Sequence, residues 1–278
     1  MTSYIIFNDK LLPANKACFK YNDRGLTLGH GLYETIRIEH NQPIALQYHW
    51  QRLQKSAKLL GLSIPFDFQH MQCTLKKLIQ ANHAHTPNGI RITLTDGESG
   101  RGLLSDTPSS PNAVISTFLN KIIKKQMSAC IVSHKKNETA LSSRVKSISC
   151  IDNIMAKQEA VKQGYDEAIL LNNQSNIADG ALSNIFIVKN NQIYTPPISD
   201  GALPGIVRRI ILEKLAASFT ITEKSLSVAE TLTADELFIT NALLGIMPIE
   251  KLNQTHYKNN PITKKLRHAF DTVLTTTK

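Results

Sequence analysis

The sequence predicts an α+β protein of two domains, and three features lead to this prediction. Runs with strand character alternate with runs in which apolar residues recur at helical spacing. The chain has 278 residues, which is enough for two domains with substantial cores. A short basic segment, 119–127, lies between the two halves. We therefore predict a small N-terminal domain over 1–118, a linker over 119–127 and a larger domain over 128–278.

Strands and helices are predicted along the first half from these patterns. Runs bounded by turn residues predict strands at Tyr4–Phe7, Ala17–Tyr21, Leu32–Glu39, Ile90–Thr95 and Ala113–Phe118. Apolar residues at helical spacing predict helices at 46–62 and Asp67–Ala81. The first half therefore reads as strands interrupted by two amphipathic helices.

The strand Leu32–Glu39 has two different faces. Alternation with a period of two places Tyr33, Thr35 and Arg37 on one face and mostly apolar residues on the other. The apolar face suits a core. The residues alone leave open whether the polar face lines a pocket or is simply half exposed.

The second half continues the alternation. Strands are predicted at Cys130–His134, Glu167–Asn172 and Asn184–Val188, with a strand–turn–strand unit over 234–249 and helices over 151–161 and Pro261–Thr276. Turns are predicted at Asp179-Gly180 and at Asn190-Asn191, and a further helix after Pro204-Gly205.

Composition narrows the classes of function. Apolar residues make up 42% of the chain and charged residues 19%, as in an ordinary globular protein. The formal net charge is +10, but the dense basic run Lys121–Lys125 contains no aromatic residue. The composition therefore favours a basic surface that attracts anionic metabolites. A nucleic-acid-binding module is the least favoured of the alternatives.

The sequence also gives expectations about where the protein is located and whether it binds a metal. No apolar run approaches the length of a membrane span, and the N-terminus lacks the pattern of a signal peptide. The four cysteines show no paired spacing. We expect a cytoplasmic protein with reduced thiols, with no metal site and no nucleic-acid or membrane partner.

One lysine and one carboxylate stand out chemically. Lys146 ends an extended segment before a helix, and Asp179 follows one strand further on. If the chain brings them together, the amine could bond the aldehyde of a pyridoxal cofactor and the acid could keep its ring nitrogen protonated. The chain has 32 lysines and arginines, so a single lysine is weak evidence for a catalytic site. Such a lysine needs burial or a neighbouring cation to lose its proton near neutral pH, and Arg144 is close in sequence.

Four segments resemble, in order and spacing, the fold-type IV pyridoxal-phosphate enzymes. They are KSISCIDNIMAKQEAVKQGYDEAILL, ADGALSNIFIVKNNQIYTPP, LPGIVR and ADELFITNALLGIMPI. This family contains branched-chain aminotransferases, D-amino-acid aminotransferases and 4-amino-4-deoxychorismate lyases, and the resemblance spans about Ile5 to Val273. It implies a small α/β N-terminal domain and a larger domain with a mixed β-sheet or barrel-like core. It also implies pyridoxal 5′-phosphate as cofactor, and a homodimer with the cofactor between the domains and near the subunit interface.

The resemblance also implies roles for particular residues. Cofactor-binding roles fall on Lys146, Arg52 of the HxxRLxxSA pattern, Asp179, Ile206, Val207 and Asn241. Arginine suits a phosphate because its planar, always charged fork matches phosphate oxygens. The first amides of a helix also favour anions, so Ile206 and Val207 need no special side chain. Substrate-binding roles fall on Tyr33, Arg37 and Arg101, the last within a glycine-rich loop.

Some positions depart from the family pattern. Asp179 stands where relatives usually have Glu, Ser149 where many have Asn, Val207 where many have Thr, and Asp96 where the lyases commonly have a basic residue. Asp179 keeps the charge but is one methylene shorter. The missing hydroxyl at position 207 removes one possible contact to the cofactor.

The Asn-Ala-Leu…Met-Pro form of the last motif is similar to the lyases. The resemblance therefore predicts a 4-amino-4-deoxychorismate lyase, which eliminates pyruvate from an anionic substrate and leaves 4-aminobenzoate for folate biosynthesis. Lys146 would remove the proton from the amine-bearing carbon, and Lys146 or Thr35 would protonate the departing carbon; Arg37 and Arg101 would hold the two carboxylates. The alternatives are a class IV aminotransferase of D-amino acids or branched-chain amino acids, and a pyridoxal-phosphate-binding protein without turnover.

Overall fold

The computed structural model describes residues 3–100, 102–104, 110–120 and 124–276. The chain forms two compact units, Met1–Lys121 with Lys146–Ser149, and Ile122–Val145 with Cys150–Lys278. The sequence-based division did not assign residues 146–149 to the first unit. The predicted domain boundaries stay a prediction.

Within the described residues, the first unit contains one antiparallel sheet of six strands in the order β2-β1-β6-β5-β3-β4. The strands are β1 Tyr4–Phe7, β2 Lys10–Pro13, β3 Gly31–Glu39, β4 Gln42–Pro43, β5 Gly89–Glu98 and β6 Ser110–Phe118. The helices are α1 Arg24–Leu28, α2 Leu46–Leu60 and α3 Phe68–Ala81.

The predicted strand at Ala17–Tyr21 is wrong. Residues 17–20 form neither helix nor strand, and β1 pairs instead with Lys10–Pro13. The turn between these strands lies at Asn8 and Asp9, which have φ of 45° and 67°. Asn and Asp tolerate this left-handed conformation better than other non-glycine residues, so the hairpin closes after β1.

The predicted two-faced character of β3 is confirmed. Leu32, Glu34, Ile36 and Ile38 are buried, and the alternate residues are only partly buried. Helix α2 contacts this strand. The helix is capped by Gly61, which directly follows its last residue. The positive φ of 67° at Gly61 lets its amide donate to the last carbonyls of the helix.

In the described part of the second unit, ten strands form a mixed sheet. They are β7 Met127–Lys136, β8 Glu167–Asn172, β9 Asn176–Gly180, β10 Asn184–Lys189, β11 Gln192–Thr195, β12 Ile221–Glu223, β13 Leu226–Ser227, β14 Glu236–Asn241, β15 Gly245–Leu252 and β16 Thr255–His256. The order is β12-β11-β10-β14-β15-β7-β8-β9-β13, with β16 beside β15. Strand β7 is parallel to β8 and β15, and β11 is parallel to β12.

The helices of this unit are α4 Ile151–Lys162, α5 Ile206–Ile210, α6 Val228–Leu232 and α7 Pro261–Thr276; α5 continues as a π-helical stretch over Ile211–Leu215. The mixture of strands and helices, with a mixed sheet in this unit, confirms the predicted α+β class. None of the helices in the described ranges is long and apolar enough to cross a membrane.

Strands β10 and β14 present two different faces. One face carries aliphatic core residues, Ile185, Ile187, Leu237 and Ile239. On the other face the rings of Phe186 and Phe238 stack with centroids 4.9 Å apart. Asn184 and Thr240 pair in the same register and share this second face.

The predicted turn and helix around Asp179 and α4 are present. Asp179 and Gly180 end strand β9, which pairs with β8, and a bend over 181–183 follows directly; the strand β9 itself was not predicted. The buried residues of helix α4 are Ala156 and Ala160. The alanines let the helix lie close to the sheet. The large apolar side chains of α4 that remain exposed are Ile151, Ile154, Met155 and Val161.

Candidate active site

Lys146 is held against strand β3 by backbone hydrogen bonds. The Tyr33 amide donates to the Lys146 carbonyl at 2.9 Å, and the Ile148 amide donates to the Gly31 carbonyl at 3.1 Å. Leu32 and Ser147 form an antiparallel bridge between these contacts. The segment therefore acts as a short extra strand, and its register places the Lys146 side chain on the face of Tyr33.

A polar cluster surrounds the Tyr33 ring. Lys146 Nζ lies 4.4 Å from the ring centroid, and Arg91 Cζ lies 3.6 Å from it. Arg91 Nη1 donates to Thr35 Oγ1 at 3.3 Å, because Arg91 and Thr35 pair directly across β5 and β3. The structure thus brings the predicted Lys146, Tyr33 and Thr35 together. Cations at this distance interact favourably with the electron-rich ring face.

Arg91 was missed by sequence reasoning. Its signal was present, because it alternates with the buried residues Ile90, Ile92 and Leu94 along β5. Alternation predicted a polar face for β3 but was not applied to its neighbour.

The two predicted carboxylate-binding arginines have different outcomes. Arg37 pairs with Glu39 on the same strand, Nη2 to Oε1 at 2.7 Å. Arg101 lies outside the described residues. The substrate roles of both stay predictions.

Beneath the polar face, Glu34 joins two residues of helix α2. Arg52 Nε and Nη2 donate to the two carboxylate oxygens at 2.8 and 2.6 Å, and His49 Nδ1 lies 2.6 Å from Oε2. Although burial alone would raise it, Arg52 and His49 hold the pKa of Glu34 at about 2. Burial lowers the pKa of His49, so its neutral ring donates through Nδ1 to the ionised carboxylate. The pairing fixes the orientation of Arg52, whose phosphate role stays a prediction.

In the second unit, Asp179 is a buried carboxylate with several donors. Asn184 Nδ2 donates to Oδ1 at 3.0 Å and the Leu203 amide donates to Oδ2 at 2.9 Å. Lys136 Nζ lies 3.5 Å from Oδ2. Burial raises the pKa of Asp179, against the opposing effect chiefly of Lys136. An ionised carboxylate accepts about four hydrogen bonds, so this one can also accept from a protonated ring nitrogen.

The start of helix α5 forms a close-fitting backbone cradle. Asn184 Nδ2 also donates to the Leu203 carbonyl at 2.8 Å, which brings its side chain against the turn before the helix. A Cβ atom at Gly205 would lie 1.8 Å from Asn184 Oδ1, so this position has room only for glycine. Within the described residues no side chain caps the helix start, where the backbone amides of Ile206 and Val207 lie. Such amides suit an anionic group.

Asn241 has a structural part in this unit. Its Oδ1 accepts hydrogen bonds from the amides of Leu243 and Leu244 at 3.0 and 2.8 Å, and its Nδ2 donates to the Leu182 carbonyl at 3.2 Å. These contacts close the turn between β14 and β15. A contact from Asn241 to the cofactor stays a prediction.

Comparison with known proteins defines the class. The chain belongs to the amino-transferase class IV family, whose model matches residues 31–252. It is 28% identical over 271 residues to D-alanine aminotransferase of Bacillus licheniformis, covering 96% of this chain and 95% of that protein. It is also 28% identical to aminodeoxychorismate lyase of Bacillus subtilis (strain 168), covering 91% and 88%.

A solved structure agrees with this assignment. The branched-chain aminotransferase from Thermoproteus uzoniensis, crystallised with norvaline, superposes with a TM-score of 0.90 at 26% identity, covering 100% of this chain and 96% of that one. Pyridoxal 5′-phosphate is the cofactor of these enzymes and of this chain. Each unit, taken by itself, contains groups that fit this cofactor. The first unit has an amine at Lys146, and the second has a buried acid at Asp179 and the glycine-lined helix start after Gly205. Among the described residues, no group of His, Cys, Asp or Glu side chains is arranged to hold a metal ion.

Proposed function

We propose that this protein is a 4-amino-4-deoxychorismate lyase that releases pyruvate and leaves 4-aminobenzoate for folate biosynthesis. The observation that carries the proposal is the cluster of Lys146, Thr35 and Arg91 around Tyr33. The reaction removes a proton from one carbon and adds a proton to another. The lysine and the hydroxyl, held on one face, provide two groups that can transfer these protons. The likeness to the Bacillus subtilis lyase supports it.

In this reaction one carbon–oxygen bond breaks. The carbon that bears the amine loses a proton, and the methylene carbon of the departing enol-pyruvyl group gains one. Pyridoxal phosphate, when bound, holds the substrate amine covalently and accepts the electrons released at the neighbouring carbon. Lys146 removes the first proton. Lys146 or the Thr35 hydroxyl delivers the second.

Other residues hold groups in place. Arg91 orients the Thr35 hydroxyl, since its Nη1 donates to that oxygen and leaves the hydroxyl proton for transfer. Asp179 keeps the proton on the ring nitrogen of the cofactor. Arg52 and the backbone amides of Ile206 and Val207 bind the cofactor phosphate. Arg37 and Arg101 hold the two substrate carboxylates.

The test is pyruvate release from purified aminodeoxychorismate with no keto-acid acceptor present. We expect wild-type enzyme to release pyruvate and 4-aminobenzoate in equal amounts, and Lys146→Ala to lose this activity by several orders of magnitude. Lys162→Ala is the matched control, because Lys162 is exposed on α4. Near-normal turnover by Lys146→Ala, with folding verified by circular dichroism, would overturn the proposal.

The second candidate is a D-amino-acid aminotransferase. It is favoured by the likeness to D-alanine aminotransferase, which spans 96% of this chain. Such an enzyme also uses Lys146 as a base but produces a keto acid only in proportion to an added acceptor. Dependence of product on acceptor distinguishes the two reactions.

We infer that the protein acts in the cytoplasm as a homodimer. The exposed apolar residues of α4, Ile151, Ile154, Met155 and Val161, support a subunit contact. Analytical ultracentrifugation of wild type and of Ile154→Asp tests this. We expect a dimer for the wild type and a larger monomer fraction for the variant; a wild-type monomer would contradict it.

A further inference from the structure

Arg24 is a buried arginine whose guanidinium holds the backbone of a short exposed segment, residues 102–104. Its side chain is only 7% exposed, and its Nη1 and Nη2 donate to the carbonyls of Gly102 and Leu103 at 3.1 and 2.7 Å. In the described part of the chain, these two are the only hydrogen bonds to this segment. The side chains of Leu103 and Leu104 are exposed, so apolar packing does not fix it. Arg24 therefore sets the course of this backbone.

A carboxylate allows the guanidinium to stay buried. Asp96 Oδ2 lies 2.9 Å from Arg24 Nε, and the Asp96 side chain is also largely shielded from solvent. His30 Nδ1 lies 3.2 Å from the same oxygen. A buried cation without a counter-charge is costly, so Asp96 stabilises Arg24 in the position from which it reaches the two carbonyls. The three contacts occupy three sides of the planar guanidinium.

The backbone that carries Arg24 is itself anchored. Arg24 is the first residue of α1, and the residue before it, Asp23, is completely buried. Asp23 Oδ2 accepts hydrogen bonds from Thr95 Oγ1 at 2.8 Å and from Asn112 Nδ2 at 2.7 Å. Thr95 lies in β5 and Asn112 in β6, so these bonds fix the start of α1 on the sheet. The guanidinium is therefore held at a defined place beside β5.

We propose that Arg24 is a positioning residue for recognition of a substrate carboxylate, because it orders the backbone at Gly102 and Leu103, directly after Arg101 in the chain. This rests on the proposed function, in which Arg101 holds one of the two carboxylates. A segment that is ordered before the substrate arrives loses less conformational entropy on binding, so its contacts contribute more to affinity. Arg24 acts through the loop and not on the substrate, since its own donors are used by the loop and Asp96.

The first test is the steady-state kinetics of pyruvate release by Arg24→Lys. Lysine keeps the charge beside Asp96 but replaces the fork by a single ammonium group, which does not reproduce the paired contacts to two carbonyls. We expect KM for aminodeoxychorismate to rise about tenfold and kcat to stay within about threefold of wild type, since substrate binding is weakened and the chemistry is not. The Kd for pyridoxal phosphate should keep its wild-type value.

Limited proteolysis gives a readout that does not depend on the reaction. Trypsin cleaves after arginine, and cleavage of the Arg101–Gly102 bond in the apo protein is followed by mass spectrometry. We expect this cleavage to be about tenfold faster in Arg24→Lys, because the segment opens more easily without its two hydrogen bonds. The matched control is Lys20→Gln, which removes the exposed pair of Lys20 with Glu98 at the end of β5. It should change neither KM nor the cleavage rate.

A double variant shows whether Arg24 acts through Arg101. Arg24→Lys combined with Arg101→Gln should raise KM no more than Arg101→Gln alone, and additive increases would contradict the proposal. If Arg101→Gln raises KM and Arg24→Lys does not, the proposal is overturned and the proposed function stands. If Arg101→Gln leaves KM at the wild-type value, the carboxylate role in the proposed function is wrong, and the proposal falls with it. An unchanged cleavage rate in Arg24→Lys would overturn the ordering of the segment.

Discussion

Glu34 and Arg52 form a two-pronged ion pair in which both side chains are almost completely shielded from solvent. Arg52 Nε and Nη2 lie 2.8 and 2.6 Å from the two carboxylate oxygens. His49 contacts the same carboxylate. The two bonds fix the guanidinium in plane and direction, so the fold orients Arg52 before a ligand arrives.

Replacing Glu34 by Gln leaves the Arg52 cation buried without its counter-charge. We expect the free energy of unfolding to fall by about 3–5 kcal/mol, measured by urea denaturation of the apo protein. Glu39→Gln is the control on the same strand, since the Arg37–Glu39 pair is partly exposed, and it should cost less than about 1 kcal/mol. Equal losses in the two variants would contradict this prediction.

The same carboxylate makes the first unit sensitive to acid. The pKa of Glu34 is about 2 in the folded protein and 4.5 without the fold. As the pH falls from 4.5 toward 2, the unfolded chain takes up a proton that the folded chain does not, and stability is lost. The stability difference between wild type and Glu34→Gln should therefore shrink over this window in urea titrations. A difference that is constant from pH 6 to pH 3 would show that Glu34 is not responsible.

Lys136 pairs with the acid Asp179, with Nζ 3.5 Å from Oδ2. Burial already raises the pKa of Asp179. Lys136 and, to a smaller extent, Arg208 lower this pKa. Glu167 is a neighbouring acid that carries the same charge as Asp179. Lys136→Met should raise this pKa further. Stability of the apo protein should then fall more steeply as the pH rises above 4, because the unfolded carboxylate ionises first.

Thermal unfolding of the apo protein between pH 4 and pH 8 checks this prediction for Lys136. Lys135→Met is the control, because Lys135 is exposed and donates to Ser175. The Tm of Lys136→Met relative to wild type should decline with rising pH, while that of Lys135→Met should stay level. A parallel shift at every pH would exclude the electrostatic explanation.

Local patterns predicted much of the fold, because period and turn chemistry act over a few residues. Strands β1 and β8 and helix α7 have the predicted bounds, and the Asn190-Asn191 turn has the two positive φ values that a tight hairpin needs. Strand β9 was missed because a single turn, at Asp179-Gly180, was predicted between Glu167–Asn172 and Asn184–Val188. A further turn lies earlier, at Ser175 with φ of 64°.

Long-range pairings were the part that the sequence could not supply. Alternation placed Glu34 on the buried face, but its partners lie on α2, and nothing local joins them. The contact of Lys146 with Tyr33 depends on residues 146–148 pairing with a strand more than a hundred residues earlier. That Thr240 and Asn184 share one face of the sheet could be assigned only from the register of β10 and β14.

Arg91 and Thr35 should act as one unit in proton transfer. Arg91→Met removes the donor at 3.3 Å from Thr35 Oγ1, and we expect kcat for pyruvate release to fall about 10–100-fold. Thr35→Val should have a similar effect. The double variant should be no worse than either single variant, since each removes the same arrangement. Cofactor Kd should stay at the wild-type value in all three, and additive losses in kcat would contradict the coupling.

Gly205→Ala tests whether the turn before α5 needs the space that glycine leaves. The new Cβ would lie 1.8 Å from Asn184 Oδ1, and φ of −68° excludes backbone strain as the cause. Asn184 must then move from its contacts with Asp179 and Leu203. We expect a loss of about 1–3 kcal/mol in the free energy of unfolding, together with weaker cofactor binding.

The matched control for this collision is Gly100→Ala, since a Cβ at Gly100 would meet no atom of the described residues within 4 Å. It should leave the unfolding free energy within about 0.5 kcal/mol of wild type. A second variant isolates the clashing partner. With Asn184→Ala already present, Gly205→Ala should cost little more, because the crowded oxygen is gone. If Gly205→Ala is equally costly with and without Asn184, the collision with Asn184 does not explain the need for glycine.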